Sequence, residues 1–148
     1  MIINLINLKK IFISSDHAGF KLKEFIKIYL SKKKINYKDL GPDIDSKVDY
    51  PDYAHKVAKK VKINKNHVGI LVCGSGIGMN IAANKHKNIR AAQCFNLKST
   101  KLSRLHNDAN IITLGSRLLT TKNALSCVSV FLNTKFEGGR HSKRIKKI

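Results

Sequence analysis

Val68 to Gly78 reads VGILVCGSGIG. Its first five residues carry no polar side chain, which suits a strand covered on both faces, as the inner strands of a parallel sheet are. Gly-rich Gly74 to Gly78 then opens a helix through about Lys85, so the stretch reads as strand, tight turn, helix. The same unit recurs on either side of it. Ile11 to Ser14 (IFIS) is a β-rich run ending at Asp16, and Lys21 to Leu30 sets Leu22, Phe25, Ile26 and Leu30 at helical spacing. Ile35 to Leu40 predicts a strand closed by Gly41-Pro42, with Asp43 to Tyr50 a polar loop. Pro51 then sits in a helix first turn whose buried stripe is Tyr53, Ala54, Val57, Ala58 and Val61. Downstream, Arg90 to Cys94 and Ile111 to Leu114 predict strands, and about Leu97 to Leu105 a helix. Thr120 or Thr121 caps another helix to about Leu132, and the basic tail turns helical after Gly138-Gly139.

Strands alternating with helices at this spacing predict a five-stranded, mostly parallel α/β sandwich with right-handed crossovers. Ligands of such sheets bind beyond the carboxyl ends of the strands. That rule singles out Asp16-His17-Ala18-Gly19 after the first strand and Cys73-Gly74-Ser75-Gly76-Ile77-Gly78 after the third.

The length of 148 residues predicts one domain over 1–148, with a leader at 1–9 and a basic tail from about 137 to 148. Lys+Arg is 29 against 9 for Asp+Glu, a formal net charge of +20, which raises nucleic acid as a partner. Yet 24 of the cations are Lys and five are Arg, and the lysines are spread over almost every segment. The clusters at Lys32 to Lys34, Lys59 to Lys65 and Lys143 to Lys147 have no aromatic residues interleaved, so a solvated basic surface is favoured over a nucleic-acid site. Cys73, Cys94 and Cys127 stand 21 and 33 residues apart, which is neither a zinc nor a CxxC spacing and suits a reducing cytosol. MIINLINLKK places its apolar run before its lysines, the reverse of a signal peptide, and nothing later approaches the ~20 apolar residues of a membrane span. A cytoplasmic protein with no membrane partner is expected.

The glycine loop fails as a dinucleotide fingerprint, because counting from Gly74 the last position is Met79 and no acidic residue stands at Cys94 to Leu97. It fails as a Walker loop for want of Gly-Lys-Ser/Thr. An anion cradle of backbone N–H groups and a plain βα turn both remain open. Cys73 precedes it at a helix mouth with the Ser75 hydroxyl two residues on, an arrangement for a base beside a developing oxyanion; simple packing, the reading given to Cys94 and Cys127, is the alternative. His106, in His106-Asn107-Asp108, is either a helix cap or an acid/base. His55, His67 and His86 are expected to be solvated. No histidine pair stands with a carboxylate at metal-ligand spacing, so no metal is expected. Arg140 and Arg144 stand four apart with His141 beside them, which suits either a phosphate fork or a solvated tail.

These pieces in this order resemble the type B ribose-5-phosphate isomerase family, which includes allose and galactose phosphate isomerases. The matching strings are SSDHAGF (14–20), DYPDYA (49–54), LVCGSGIGMNIAANK (71–85), IRAAQC (89–94), LSRLHNDANIITLGSR (102–117) and FEGGRHSKRI (136–145). The resemblance implies a three-layer α/β/α Rossmann-like sandwich with a five-stranded parallel sheet ordered 2-1-3-5-4. It implies a homo-oligomer, dimer or tetramer, with active sites between subunits and no cofactor. The implied reaction interconverts D-ribose 5-phosphate and D-ribulose 5-phosphate through a cis-enediolate, in the non-oxidative pentose phosphate pathway. Allose or galactose 6-phosphate is the alternative substrate, and a basic nucleic-acid-binding module the more distant one. On the matching positions, Cys73 is the base between C1 and C2, Ser75 assists proton exchange between the oxygens, and Gly74, Gly76, Ile77 and Gly78 cradle the enediolate. Asp16 and His17 contact the sugar at its ring-opening end, and Tyr50 lines the pocket. His106 opens the furanose, Asn107 holds hydroxyls, and Arg117, Arg140, His141 and Arg144 take the ligand and its phosphate. Some members carry a glutamate base in the glycine loop, where this chain has Met79 or a neighbour; no carboxylate lies between Asp52 and Asp108.

Overall fold

The computed structural model describes residues 9–148, so the expected leader lies, apart from Lys9, outside the described residues. In chain order the elements are β1 (Lys10–Ser15), α1 (Phe20–Lys32), β2 (Tyr37–Asp39), α2 (Tyr50–Val61), β3 (His67–Cys73), α3 (Ile77–Ala83), β4 (Ala91–Gln93), α4 (Leu97–Asn107), β5 (Ile111–Gly115), α5 (Thr121–Asn133) and α6 (Arg140–Ile145). The strands form one sheet in the order β2-β1-β3-β5-β4, and every pairing is parallel. The expected order and three-layer architecture are thus found.

Side chains alternate across the sheet with period two. Ile11, Ile13, Ile70, Val72, Ile112 and Leu114 pack with α1 and α5 through Ile26, Leu30, Val128 and Phe131. Phe12, Leu71, Cys73 and Ile111 pack on the other face with α2 and α3, against Ala54, Val57, Ala58, Met79 and Ala83. β3 is buried on both sides, which is why its sequence shows no alternation. The outer strands are shorter than their sequences suggest: β2 begins at Tyr37, not Ile35, and β4 spans Ala91 to Gln93, not Arg90 to Cys94. Each has a neighbour on one side only, so fewer ladder bonds hold its ends.

Two local expectations need correction. The buried stripe predicted for α1 includes Phe25, yet Phe25 is 41% exposed and Lys23 is fully buried. The Lys23 charge is paired: Nζ donates to both Asp39 oxygens, at 2.9 and 2.8 Å, and to the Pro42 carbonyl at 2.7 Å. Lys27 reaches the same carboxylate at 2.8 Å. The interaction ties α1 to the end of β2 and to the loop beyond it.

The histidines expected to be solvated are also partly buried. His55 Nδ1 and His86 Nε2 lie 2.7 Å apart, and His67 Nδ1 donates to the Lys60 carbonyl at 2.7 Å while its ring meets Phe12 edge-on. At the amino edge of the sheet, arginine forks close the turn into β5. Arg90 donates from Nε to the Asn107 carbonyl and from Nη2 to that of Asp108, both at 2.9 Å. Arg104 joins the Thr134 carbonyl at 3.2 Å to the Asp108 carboxylate at 2.8 Å.

Candidate active site

Cys73 ends β3, level with Gly115 of β5. Gly76 takes the left-handed conformation, φ 77°, which glycine alone adopts freely, and this turns its N–H back to donate to Cys73 Sγ at 3.1 Å. The Ile77 N–H donates to Ser75 Oγ at 3.2 Å, and Gln93 Nε2 holds the Ser75 carbonyl at 2.8 Å. Burial does not separate the cysteines, since Cys73 is 4% exposed and Cys94 1%. Their partners do. Cys94 has only carbonyl and hydroxyl neighbours, the Ala92 oxygen at 3.6 Å and Ser103 Oγ at 4.0 Å, and burial pushes its thiol up. Cys73 faces a backbone donor at a helix mouth.

Neighbouring loops complete this edge. The Asp16 N–H donates to the Val72 carbonyl at 3.1 Å, and its buried carboxylate accepts the Gly19 N–H at 2.9 Å. His17 Nδ1 accepts the Val48 N–H at 3.4 Å, which leaves Nε2 on an exposed ring. Tyr50 and Arg117 lie directly on the glycine loop: a Cβ at Gly78 would stand 2.7 Å from the Tyr50 ring, and one at Gly74 2.8 Å from Arg117 Nη1. Backbone bonds from Ser116 and Arg117 to the Cys73 and Gly74 carbonyls, at 2.8 and 2.9 Å, fix the main chain from which that side chain springs.

The remaining predicted residues sit elsewhere. α4 runs back toward the amino edge, so His106 and Asn107 lie there, just before Asp108 and the turn into β5. Ile111 is level with Gly69, four positions before Cys73, and about 13 Å of strand separates the two rows. The tail folds against this end, with the Glu137 N–H donating to the Leu105 carbonyl at 3.1 Å, and brings Arg140, His141 and Arg144 with it on α6. One chain therefore carries the thiol, the glycine loop, Asp16, His17, Tyr50 and Arg117 at one edge, and His106, Asn107 and the α6 cations at the other.

At the amino edge, packing brings together two histidines and a carboxylate. His106 and His141 stack at 4.3 Å between ring centroids, with 14° between planes, and each Nε2 lies 3.8 Å from Glu137 Oε2. Burial holds the His141 pKa below the usual histidine value, and the charges of His106, Arg140 and Arg144 lower it further against the pull of Glu137. Glu137 is the residue the sequence reading missed. Its four-residue spacing to His141 was a visible signal, whereas His106 joins only through packing. Gln93, which fixes the Ser75 carbonyl, carries no such signal.

The sequence matches the family model for ribose/galactose isomerase over residues 11–148. Ribose-5-phosphate isomerase B of Escherichia coli (strain K12) is 41% identical over 141 residues, covering 95% of each chain. The ribose 5-phosphate isomerase of Thermotoga maritima has a similar structure, with a TM-score of 0.91 and 49% identity over 94% of this chain and 96% of that one. The Mycoplasma genitalium ribose-5-phosphate isomerase B, solved with bound ribulose-5-phosphate, gives 0.90 and 46% over 93% and 92%. The match takes in every strand of the sheet, the thiol at its glycine loop and the basic tail, and on this ground the chain belongs to the ribose/galactose isomerase family.

Proposed function

We propose that this protein interconverts D-ribose 5-phosphate and D-ribulose 5-phosphate, with Cys73 as the base. The observation that carries the reading is the Gly76 N–H donating to Cys73 Sγ at 3.1 Å, beside the Ser75 hydroxyl and under the Arg117 guanidinium. A donor already aimed at sulfur stabilises thiolate without reorganisation. The thiolate takes the C2 proton of the open-chain aldose, and the electron pair moves through C1 onto O1 to give a cis-enediolate. Ser75 passes the O2 proton to O1, and the Cys73 thiol returns its proton to C1, leaving the C2 ketone. The glycine loop at the mouth of α3 faces the charge as it develops. His106 protonates the ring oxygen on opening, Asn107 and Asp16 hold hydroxyls, and Arg117, Arg140 and Arg144 take the phosphate, aided by His17 and His141. Such an enzyme acts in the cytoplasm, where sugar phosphates are held; no helix among the described residues is long and apolar enough to cross a membrane.

Incubation of the purified protein with ribose, allose and galactose phosphates tests the reading. Ribulose 5-phosphate is the expected main product, and failure to form it sinks the proposal; faster turnover of a hexose phosphate moves the substrate to the longer sugar.

The same reading assembles each site from two chains, since His106 and Cys73 occupy opposite edges of one sheet. In a two-fold pair the amino edge of one chain then faces the carboxyl edge of the other. A Cys73→Ala protein and an Arg140→Ala protein are each expected to be nearly inactive. After subunit exchange, a mixed dimer carries one site free of both substitutions, so activity rises to about a quarter of the parent value on random pairing. Activity no greater than the sum of the separate proteins would place both halves of the site in one chain.

A further inference from the structure

We propose that Gln93 is a positioning residue for the base of the isomerase site, and that it acts through a single peptide unit. The Ser75 carbonyl and the Gly76 N–H belong to the same peptide bond, and in a planar trans peptide they point in opposite directions. Gln93 Nε2 donates to that carbonyl at 2.8 Å, while the N–H on the far side donates to Cys73 Sγ at 3.1 Å. The side-chain amide, the peptide and the thiol thus form one chain of hydrogen bonds. Gln93 thereby sets which way the donor on the sulfur points.

The peptide needs such a restraint. Gly76 has φ 77°, and glycine adopts the opposite sign of φ about as readily, so a half-turn of this peptide plane is permitted at Gly76. The turned peptide would present its carbonyl oxygen, rather than its N–H, to Cys73. Among the described residues Gln93 is the only hydrogen-bond donor to the Ser75 carbonyl, and its bond exists only in the orientation that aims the N–H at sulfur. Gly115 makes room for the same orientation, because a Cβ there would stand 2.6 Å from the Ser75 oxygen. Gln93 is itself held in place. It lies level with Thr113 of β5, and the Asn84 side chain clamps the start of β4 through the Ala91 carbonyl and N–H, at 2.9 and 2.8 Å. A donor on the carbonyl also polarises the peptide, which strengthens its N–H as a donor in turn.

This inference rests on the function proposed above, in which the Cys73 thiolate takes the C2 proton. Loss of the Gln93 donor lowers the share of thiolate and leaves the groups assigned to the phosphate where they are, so the damage falls on kcat and not on KM. A residue that merely pinned β4 to the sheet would act on stability instead.

Gln93→Met keeps the length of the side chain and removes its donor, and Gln93→Glu keeps the shape and puts acceptors in its place. Asn84→Ala loosens the same strand without touching the Ser75 carbonyl. Each full-length protein is checked for folding by circular dichroism and assayed on ribose 5-phosphate. Its thiolate absorption in the far ultraviolet is recorded at one mildly alkaline pH, with the Cys73→Ala background subtracted. Gln93→Met is expected to lower kcat about 10-fold with KM within about two-fold, as for the loss of one hydrogen bond to a developing charge. The Cys73 thiolate signal is expected to fall with it, by at least about two-fold. Gln93→Glu is expected to lower both further. Asn84→Ala is expected to lower Tm and to leave kcat and the thiolate signal near the parent values. An unchanged thiolate signal in both Gln93 variants overturns the inference, as does an equal loss of kcat in Asn84→Ala or a loss that appears in KM alone. If the parent protein does not isomerise ribose 5-phosphate, the proposed function fails, and the thiolate signal by itself decides whether Gln93 governs the sulfur.

Discussion

Cys73→Ala is expected to lower kcat by a factor of ~10² to 10⁴, the range supplied by one placed proton-transfer group, with little change in KM. The split follows from geometry. In the proposed mechanism Sγ acts in the step at C1 and C2, whereas affinity is assigned to guanidinium and backbone donors that the substitution leaves in place. Cys94→Ala removes a thiol of similar burial whose neighbours are the Ala92 carbonyl and a hydroxyl. It is expected to alter stability slightly and turnover hardly at all. Steady-state kinetics on both proteins, with circular dichroism to show that each is folded, gives the comparison. Equal losses of kcat would reduce Cys73 to a packing residue of the α2–α3 face.

The second large effect is on stability. Asp39→Ala strips the fully buried Lys23 ammonium of its carboxylate and leaves it the Pro42 carbonyl and a Glu24 oxygen at 3.5 Å. Breaking a buried pair from one side costs about 3–5 kcal/mol. With those residual partners the low end is expected, roughly 3 kcal/mol or ~10 °C in Tm. Lys23→Met is expected to cost less, because Asp39 keeps Lys27 at 2.8 Å and has some contact with solvent. Burial pushes the Asp39 pKa up, but the Lys23, Lys27 and Gly41 hydrogen bonds and the Lys23 charge outweigh it, so the carboxyl titrates below its ordinary value. A carboxylate depressed in the folded state stabilises the protein above its unfolded pKa of ~3.9. That contribution is lost as the pH falls through the lower folded value. Thermal melts should therefore show the parent and Asp39→Ala converging in acid; a constant gap down to pH 2 would contradict the assignment.

The strands and the residues that follow them were legible because burial on two faces leaves a plain mark, as in VGILV, and because a parallel sheet gathers its strand ends at one edge. The two-edge division of the site residues has the same origin, since a crossover helix must end where the next strand begins. Lys23 was not legible. Its burial depends on a carboxylate 16 residues away in a different element, and nothing local distinguishes it from lysines that stay in water. The His106 cluster was half legible, from the spacing of Glu137 and His141 on one turn; its third member arrives only when the tail packs on α4.

The arginine forks at the amino edge bear on how this chain tolerates a lysine-rich alphabet. Arg90 grips the carbonyls of the adjacent Asn107 and Asp108 from two nitrogens, and Arg104 spans acceptors on two segments, a reach that a single ammonium nitrogen lacks. Arg117 lies across the glycine loop, and Arg140 and Arg144 share a short helix with His141. Arg90 and Arg104 thus stand where shape matters, while lysine supplies 24 of the 29 positive charges. Two tasks that most proteins mix are here assigned to different letters. Ionic retention, solubility and nonspecific adhesion can accordingly be edited by exchanging exposed lysines, with the catalytic architecture left as it is.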